Sequence, residues 1–286
     1  MAAKKKTKKT KKKTTAVAKT NDTAVAVWEP KEFKGNDLLP LDDAMTPELI
    51  EGVPDLVGRE HIDPEDLIVP VLVLLAGKST AVEDGVDGAE PGVFMHSGTE
   101  ECLPEGPIRV IIAHHHKGNV LFPKDGDLRY KDLKTCISRD AIEGSEYGLC
   151  ADCRKCLDWD DENDLPPLGA QTHHFVVMTS LGPVMMRFAR SSYKGASKFV
   201  SAWKMSRKNL FTHPVVIRVK EGVKALASGK NSTYHFMQMA WQTTEKVPPE
   251  LQRAAFALYK EIESKHETGN LKSHDEDTAD DLFDED

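Results

Sequence analysis

Along this chain, short runs of β-branched and other apolar residues alternate with breaks containing Pro or Gly, a punctuation that favours antiparallel strands. The first run is Leu67-Ile-Val-Pro-Val-Leu-Val-Leu-Leu75, whose β-branched density favours a strand although its length permits a short helix. Further strands are expected at Val93–Ser97, Ile108–His116, Asn119–Phe122, Thr172–Thr179, Val184–Ala189, Pro214–Lys220 and Tyr234–Gln242, with Gly182-Pro183 as a hairpin turn. Two helices complete the pattern. One spans about Ser192–Met205 with Ser191 or Ser192 as its N-cap. The other spans Glu250–Lys265, where Leu251, Ala254, Ala255, Leu258 and Ile262 recur at helical spacing behind Pro248 and Pro249.

Residues 131–168 have a different character. Cys, Asp, Glu and Gly dominate, apolar residues are few, and Pro166-Pro167 closes the segment, so it reads as an insertion between two strands. It carries Cys136-x13-Cys150-x2-Cys153-x2-Cys156. Thiolates at this spacing can converge on one ion, and four of them make a closed structural zinc site able to order a segment too polar to fold by burial. An iron–sulfur cluster is the alternative, because the last three cysteines match the first three ligands of the bacterial ferredoxin run, although no Pro follows Cys156. The total of five cysteines, four of them crowded together, suits a metal site in a reducing compartment better than a disulfide framework. Cys102 stands alone and reads as a loop thiol.

The net charge of −8 hides a polarised chain. Residues 1–20 hold nine Lys and no acid, and residues 275–286 hold eight acids and no base. Between Arg187 and Lys220, nine Lys and Arg occur with no Asp or Glu, although the folded part is acidic on average. Phe188, Tyr193, Phe199, Trp203 and Phe211 are interleaved with them. Phe199 and Trp203, four apart, also suit core anchors on a helix whose Lys and Arg form the solvated face. That reading explains the rings better than the charge, since a solvated face normally mixes signs. Cations among rings suit single-stranded nucleic acid, with phosphates neutralised and bases stacked. The candidate contacts are Arg187, Phe188, Arg190, Tyr193, Lys194, Lys198, Trp203, Lys204, Arg207, Lys208 and Arg218.

Other chemistry is sparse. Strand alternation points His114 and His116 to one face and His115 to the other, so these, with His173 and His174, read as strand-end histidines near a phosphate. No phosphate-cradling Gly loop, nucleophile elbow or His-Glu-x-x-His helix occurs, so no enzyme is expected. No stretch approaches the roughly 18 apolar residues of a membrane span. The Lys-rich start lacks the apolar segment of a secretory signal. A soluble, cytoplasmic protein is expected, in the host cytoplasm if viral.

A small β-rich domain, a four-cysteine insertion, a basic and aromatic strip and an acidic terminus containing Phe283 together resemble the single-stranded-DNA-binding proteins of tailed bacteriophages. The residues carrying the resemblance run from Leu67 to Gln242 through Pro91-Gly-Val-Phe94, the cysteine cluster and Lys198-Phe-Val-Ser-Ala-Trp203. It implies a mainly β (α+β) architecture: an OB-like, partly open barrel with a four-cysteine metal-binding insertion, a C-terminal helix and disordered charged tails. It also implies sequence-tolerant coating of single-stranded DNA in replication, recombination or repair. Leu282 and Phe283 in the acidic tail would recruit replication or recombination proteins, or the tail would fold back over the basic groove and compete with phosphates. Two features depart from the family pattern: Asp284-Glu-Asp286 follows Phe283, and the Lys-rich arm is long. The expected organisation is a basic arm at 1–27, an extended lead-in at 28–66, the OB-like domain at 67–266 and the acidic tail at 267–286. A zinc-ribbon regulator of transcription or a virion interaction protein is the alternative.

Overall fold

The computed structural model describes residues 68–123, 129, 131–153, 155–160, 167–225 and 231–267, and the backbone of 36–37 and 272–273. The expected basic arm, most of the lead-in, and Leu282 and Phe283 of the tail lie outside the described residues. In chain order the elements begin with β1 (Asn36–Asp37), β2 (Ile68–Val69), β3 (Leu72–Leu74), α1 (Thr80–Glu83), β4 (Phe94–His96) and β5 (Ile108–Leu121). The insertion contributes β6 (Cys136–Ser138), β7 (Glu143–Gly144), β8 (Gly148–Leu149) and α2 (Cys150–Cys153). There follow β9 (Ala170–Thr179), β10 (Gly182–Ala189), α3 (Arg190–Ser206), a 3-10 turn at Leu210–Thr212, β11 (Val215–Ala225), β12 (Asn231–Trp241), α4 (Pro249–Glu267) and β13 (Lys272–Ser273).

The main sheet has the order β10-β9-β5-β11-β12, with β1 and β6 also paired to β5. It is a curled half-barrel, consistent with the expected OB-like arrangement. Strand β5 makes the curl possible. Its first residues, Ile108 to Val110, pair with β11, while Ile111 to Val120 pair with β9, and a register shift falls between Ile112 and His114. Such an irregularity increases local twist and lets one strand serve both halves of a bent sheet. The inner face carries Ile108, Val110 and Ile112 of β5, Phe175 and Val177 of β9, Met186 and Phe188 of β10, and Val215 and Ile217 of β11. Helix α3 adds Ala196 and Phe199 to this core, as the apolar spacing of its sequence requires.

Period 2 sends the intervening residues to the outer face, and α4 covers it. Ile262 and Leu258 pack with Val176 and Met185, while Leu251 and Ala255 pack with Ile111 and Met178. The expected helical stripe of α4 is therefore the stripe that is used. Pro249 opens the helix, where its missing N–H costs nothing.

Several expected boundaries are corrected. The run at 67–75 divides into β2 and β3 around Pro70, which has no N–H to give a ladder. Ile108–His116 and Asn119–Phe122 are one strand, because Gly118 sits inside β5 and does not turn. A Cβ at Gly118 would lie 2.6 Å from the Ser138 carbonyl oxygen and 3.1 Å from His174 Nε2. Gly118→Ala is expected to cost about 1–3 kcal/mol, since a backbone carbonyl cannot swing aside. A lowered thermal midpoint checks this, and an unchanged one contradicts the packing.

Helix α3 begins at Arg190 with no side-chain cap, so neither Ser191 nor Ser192 is its N-cap. The Ser192 hydroxyl instead accepts the Met237 N–H of β12 at 2.9 Å. Beyond α4, the backbone of β13 pairs in parallel with β2.

Candidate nucleic-acid interface

Strand β11 runs five residues past the expected end at Lys220, and β12 begins three residues before the expected Tyr234. Only Val215 to Ile217 of β11 pair with β5, so the remainder forms a two-stranded ribbon with β12. Register fixes what each ribbon face carries. Arg218 lies opposite Gln238, Lys220 opposite Phe236, Gly222 opposite Tyr234 and Lys224 opposite Ser232. These residues share one face, because directly paired residues of an antiparallel ladder point the same way. The other face begins with Val219, Met237 and Met239 in the core and ends with Glu221 and Val223 outside it.

One ribbon face therefore holds three cations and two aromatic rings, and the acid of the segment, Glu221, is on the opposite face. Lys220 and Lys224 are exposed, and Tyr234 is 41% exposed. The Tyr234 ring lies across Gly222: a Cβ there would come within 2.5 Å of Cζ. Glycine thus gives the ring a flat seat on the backbone and leaves its other face outward. The Phe236 ring is 5.9 Å from it, tilted by 34°.

Of the expected contacts, Arg190, Lys194 and Lys198 are exposed and recur every four residues along one row of α3. The helix flank adjoins the ribbon strand closely, since a Cβ on Gly195 would sit 3.4 Å from the Met237 carbonyl oxygen and 3.9 Å from Gln238 Cα. Lys204, Arg207 and Lys208 are exposed at the far end of α3, and Arg218 is on the ribbon.

Two expected residues lie elsewhere. Phe188 is 0% exposed in the inner core, edge-on to Phe175, and is corrected from a base-stacking ring to a core residue. Arg187, one residue earlier, faces the opposite side of β10, opposite His174. Tyr193 is half-buried, stacked on His173 with ring centroids 4.7 Å apart. Trp203 packs partly on the core, and its indole N–H donates to the Lys208 carbonyl at 2.5 Å. That bond closes the end of α3, where Arg207 takes a left-handed φ of 53°.

Tyr234, Phe236 and Lys224 were not among the residues expected from sequence. Their signal was present as cations and rings at two-residue spacing, Lys220-x-Gly-x-Lys224 and Tyr234-x-Phe236. It was hidden because Gly222 reads as the start of a turn.

The histidines are not at strand ends. His114, His116 and His174 are buried under α4, where Glu263 lies 2.6 Å from His114 Nε2. His115 occupies the opposite face, 2.8 Å from His173 Nδ1, which in turn is joined through Nε2 to the Ser197 hydroxyl at 2.9 Å.

In the insertion, Cys136 and Cys150 are buried, and Cys153 and Cys156 are half-buried. Burial pushes the Cys156 thiol up to about 11, with Cys150, Cys153 and Cys136 adding to the rise. Cys136, Cys150 and Cys153 thus lie within electrostatic reach of Cys156. Glycine backbones press on two of them: a Cβ on Gly144 would lie 2.6 Å from Cys136 Sγ, and one on Gly169 would collide with Cys156 Sγ. A donor set of sulfurs alone suits a soft or borderline ion, and such an ion would reverse the penalty on the thiolates. Among the described residues, no three His, Cys, Asp or Glu side chains are already disposed to hold an ion. Cys102 lies apart, joined by a backbone bridge to Met95.

Taken together, the elements define a curled β half-barrel whose projecting ribbon carries cations and rings on one face. The chain matches the Pam3 phage gp34-like protein family over residues 42–268 and belongs to that family. The phage origin expected from the resemblance agrees with this membership. No curated protein and no solved structure matches the chain. Among the described residues no helix is long and apolar enough to cross a membrane.

Proposed function

We propose that this protein binds single-stranded DNA without strong sequence preference, through an OB-like half-barrel. The observation that carries the reading is the outer ribbon face, where Arg218, Lys220 and Lys224 alternate beside Tyr234 and Phe236, with no carboxylate among the described ribbon residues of that face. Cations neutralise the phosphates and rings stack on bases of any identity, because every base offers a π-face. The strand order supports the same reading. Partly open barrels of this kind bind oligonucleotides on the face of their second and third strands, the counterparts here of β9 and β10, and through the loops joining strands one to two and four to five. In this chain those connections correspond to the insertion and to the end of the ribbon.

Binding falls with salt, with log K changing by about −0.7 per phosphate neutralised per log unit of salt. Titration of a fluorescent oligothymidylate at two salt concentrations tests this. Absence of binding at low salt rejects the reading and leaves an interaction module for another protein. The acidic segment bearing Leu282 and Phe283 would compete for the same cations or recruit a replication or recombination protein.

The cysteines would hold a structural zinc ion, with an iron–sulfur cluster as the alternative occupant. Cys136, Cys150, Cys153 and Cys156 would be the ligands, leaving no open position for water. Cys153→Ser is expected to lower the bound metal, read by elemental analysis, and to loosen residues 131–168 while the barrel keeps its melting transition. Global unfolding would show instead that the insertion supports the whole domain.

A further inference from the structure

The insertion carries an open cleft of about 490 Å³, which Cys153 lines together with Arg129, Lys155, Asp158, Trp159, Asp160 and Leu168. That volume lies within the roughly 300–1,000 Å³ typical of small-ligand sites. Trp159 is 50% exposed, whereas the other described tryptophans, Trp203 and Trp241, pack against the core. A large ring left half in water forgoes burial that would stabilise the fold. The insertion has few apolar residues to cover it.

The cleft is tied to the cation row of α3. Arg190 donates from its guanidinium to the carbonyl of Leu168, a cleft residue, at 3.4 Å. From Arg190, Lys194 and Lys198 continue along the helix in four-residue steps. A strand whose phosphates follow that row passes the cleft at its Arg190 end. The lining sets two cations, Arg129 and Lys155, against two carboxylates, Asp158 and Asp160, so these side chains sum to no net charge and the cleft suits a neutral base better than a phosphate. Lys155 lies 4.8 Å from the centre of the Tyr147 ring, which holds its cation at the insertion surface.

We infer that this cleft takes one unstacked nucleobase of the bound single strand, stacked on Trp159, with the neighbouring phosphate held at Arg190. The inference rests on the single-strand-binding reading above and adds a second contact region, on the insertion, to the ribbon.

The test uses the full chain and oligothymidylate at low salt, with affinity from a labelled oligonucleotide and indole emission read in parallel. Trp159→Ala is expected to weaken binding at least about 5-fold, the lower end for one base–aromatic stack. Trp159→Phe is expected to retain most of the affinity and to lose a large part of the emission change on binding. Unaltered affinity in Trp159→Ala overturns the inference. So does an emission change in Trp159→Phe equal to that of the parent, an arm that stands even if the alanine variant misfolds. Failure of the parent chain to bind oligothymidylate overturns the function and this inference together. Parent binding with an indifferent Trp159 overturns the cleft alone.

Discussion

With Lys220 and Lys224 both replaced by glutamate, the protein is expected to lose oligothymidylate affinity by at least about 100-fold at low salt. The log–log salt slope is expected to flatten by about 1.4, two phosphate contacts at roughly 0.7 each. The effect is large because two attractions become two repulsions on the face that also carries Tyr234 and Phe236. Stability is expected to hold, since both lysines are exposed and the ribbon beyond Ile217 makes no ladder with β5. Equal melting midpoints with reduced affinity would locate the defect in binding. A double variant that binds like its parent would remove the ribbon from the interface. Tyr234→Ala provides a second readout: loss of one stack corresponds to about 1–3 kcal/mol, and the salt slope stays unchanged because no charge is altered.

The second large effect is acid sensitivity. His115 is lowered to about 3, by burial first and then by His173, His114 and Lys117, while His173 is lowered to about 4 by burial and then Lys117. The pair meets Phe175 and Tyr193 as well as the Ser197 hydroxyl, and among the described residues no carboxylate appears in the contacts that fix their state. Both rings are therefore neutral in the folded protein at neutral pH, whereas in the unfolded chain they titrate near 6.5. Below that value the unfolded state takes up protons that the folded state refuses, so stability is intact above 6.5 and declines as pH falls. Each histidine withdraws about 1.4 kcal/mol per pH unit. The two together remove about 4 kcal/mol by about pH 5, a large share of the 5–15 kcal/mol typical of a domain. Urea unfolding at about pH 7.5 and about pH 5 measures the difference. Equal midpoints would mean that the rings are already protonated or reach water in the folded state.

Much of the fold was legible because it follows from local periodicity. The stripe Leu251, Ala255, Leu258 and Ile262 predicts the buried side of α4, and strand alternation correctly separates His115 from His114 and His116. What failed was the reading of two glycines. Gly118 and Gly222 both look like turn residues, yet each lies within a long strand because something distant in sequence presses on it. For Gly118 that neighbour is the Ser138 carbonyl, and for Gly222 it is the Tyr234 ring. Composition records a small residue and cannot say whether the space is for a bend or for a neighbour.

The candidate site was affected by the same error. Ending β11 at Lys220 left Lys224, Tyr234 and Phe236 without a shared face, so attention stayed on the acid-free span. Within that span, alternation on β10 separates Arg187 from Phe188, and a strand with its inner side in a core cannot offer both to one ligand. The cations Arg190, Lys194 and Lys198 do share one exposed row of α3, since four-residue spacing on a helix depends on nothing remote.

The ribbon is anchored asymmetrically. Val219 and Met237 reach the core, and His235 closes over Gly92, but past Gly222 and Tyr234 neither strand supplies a core side chain. Lengthening or trimming both arms by two residues leaves every remaining side chain on its original face. Under the proposed single-strand binding, the hairpin would work as an adjustable arm: its reach would set how many nucleotides one molecule occludes, while the barrel that carries it stays as it is.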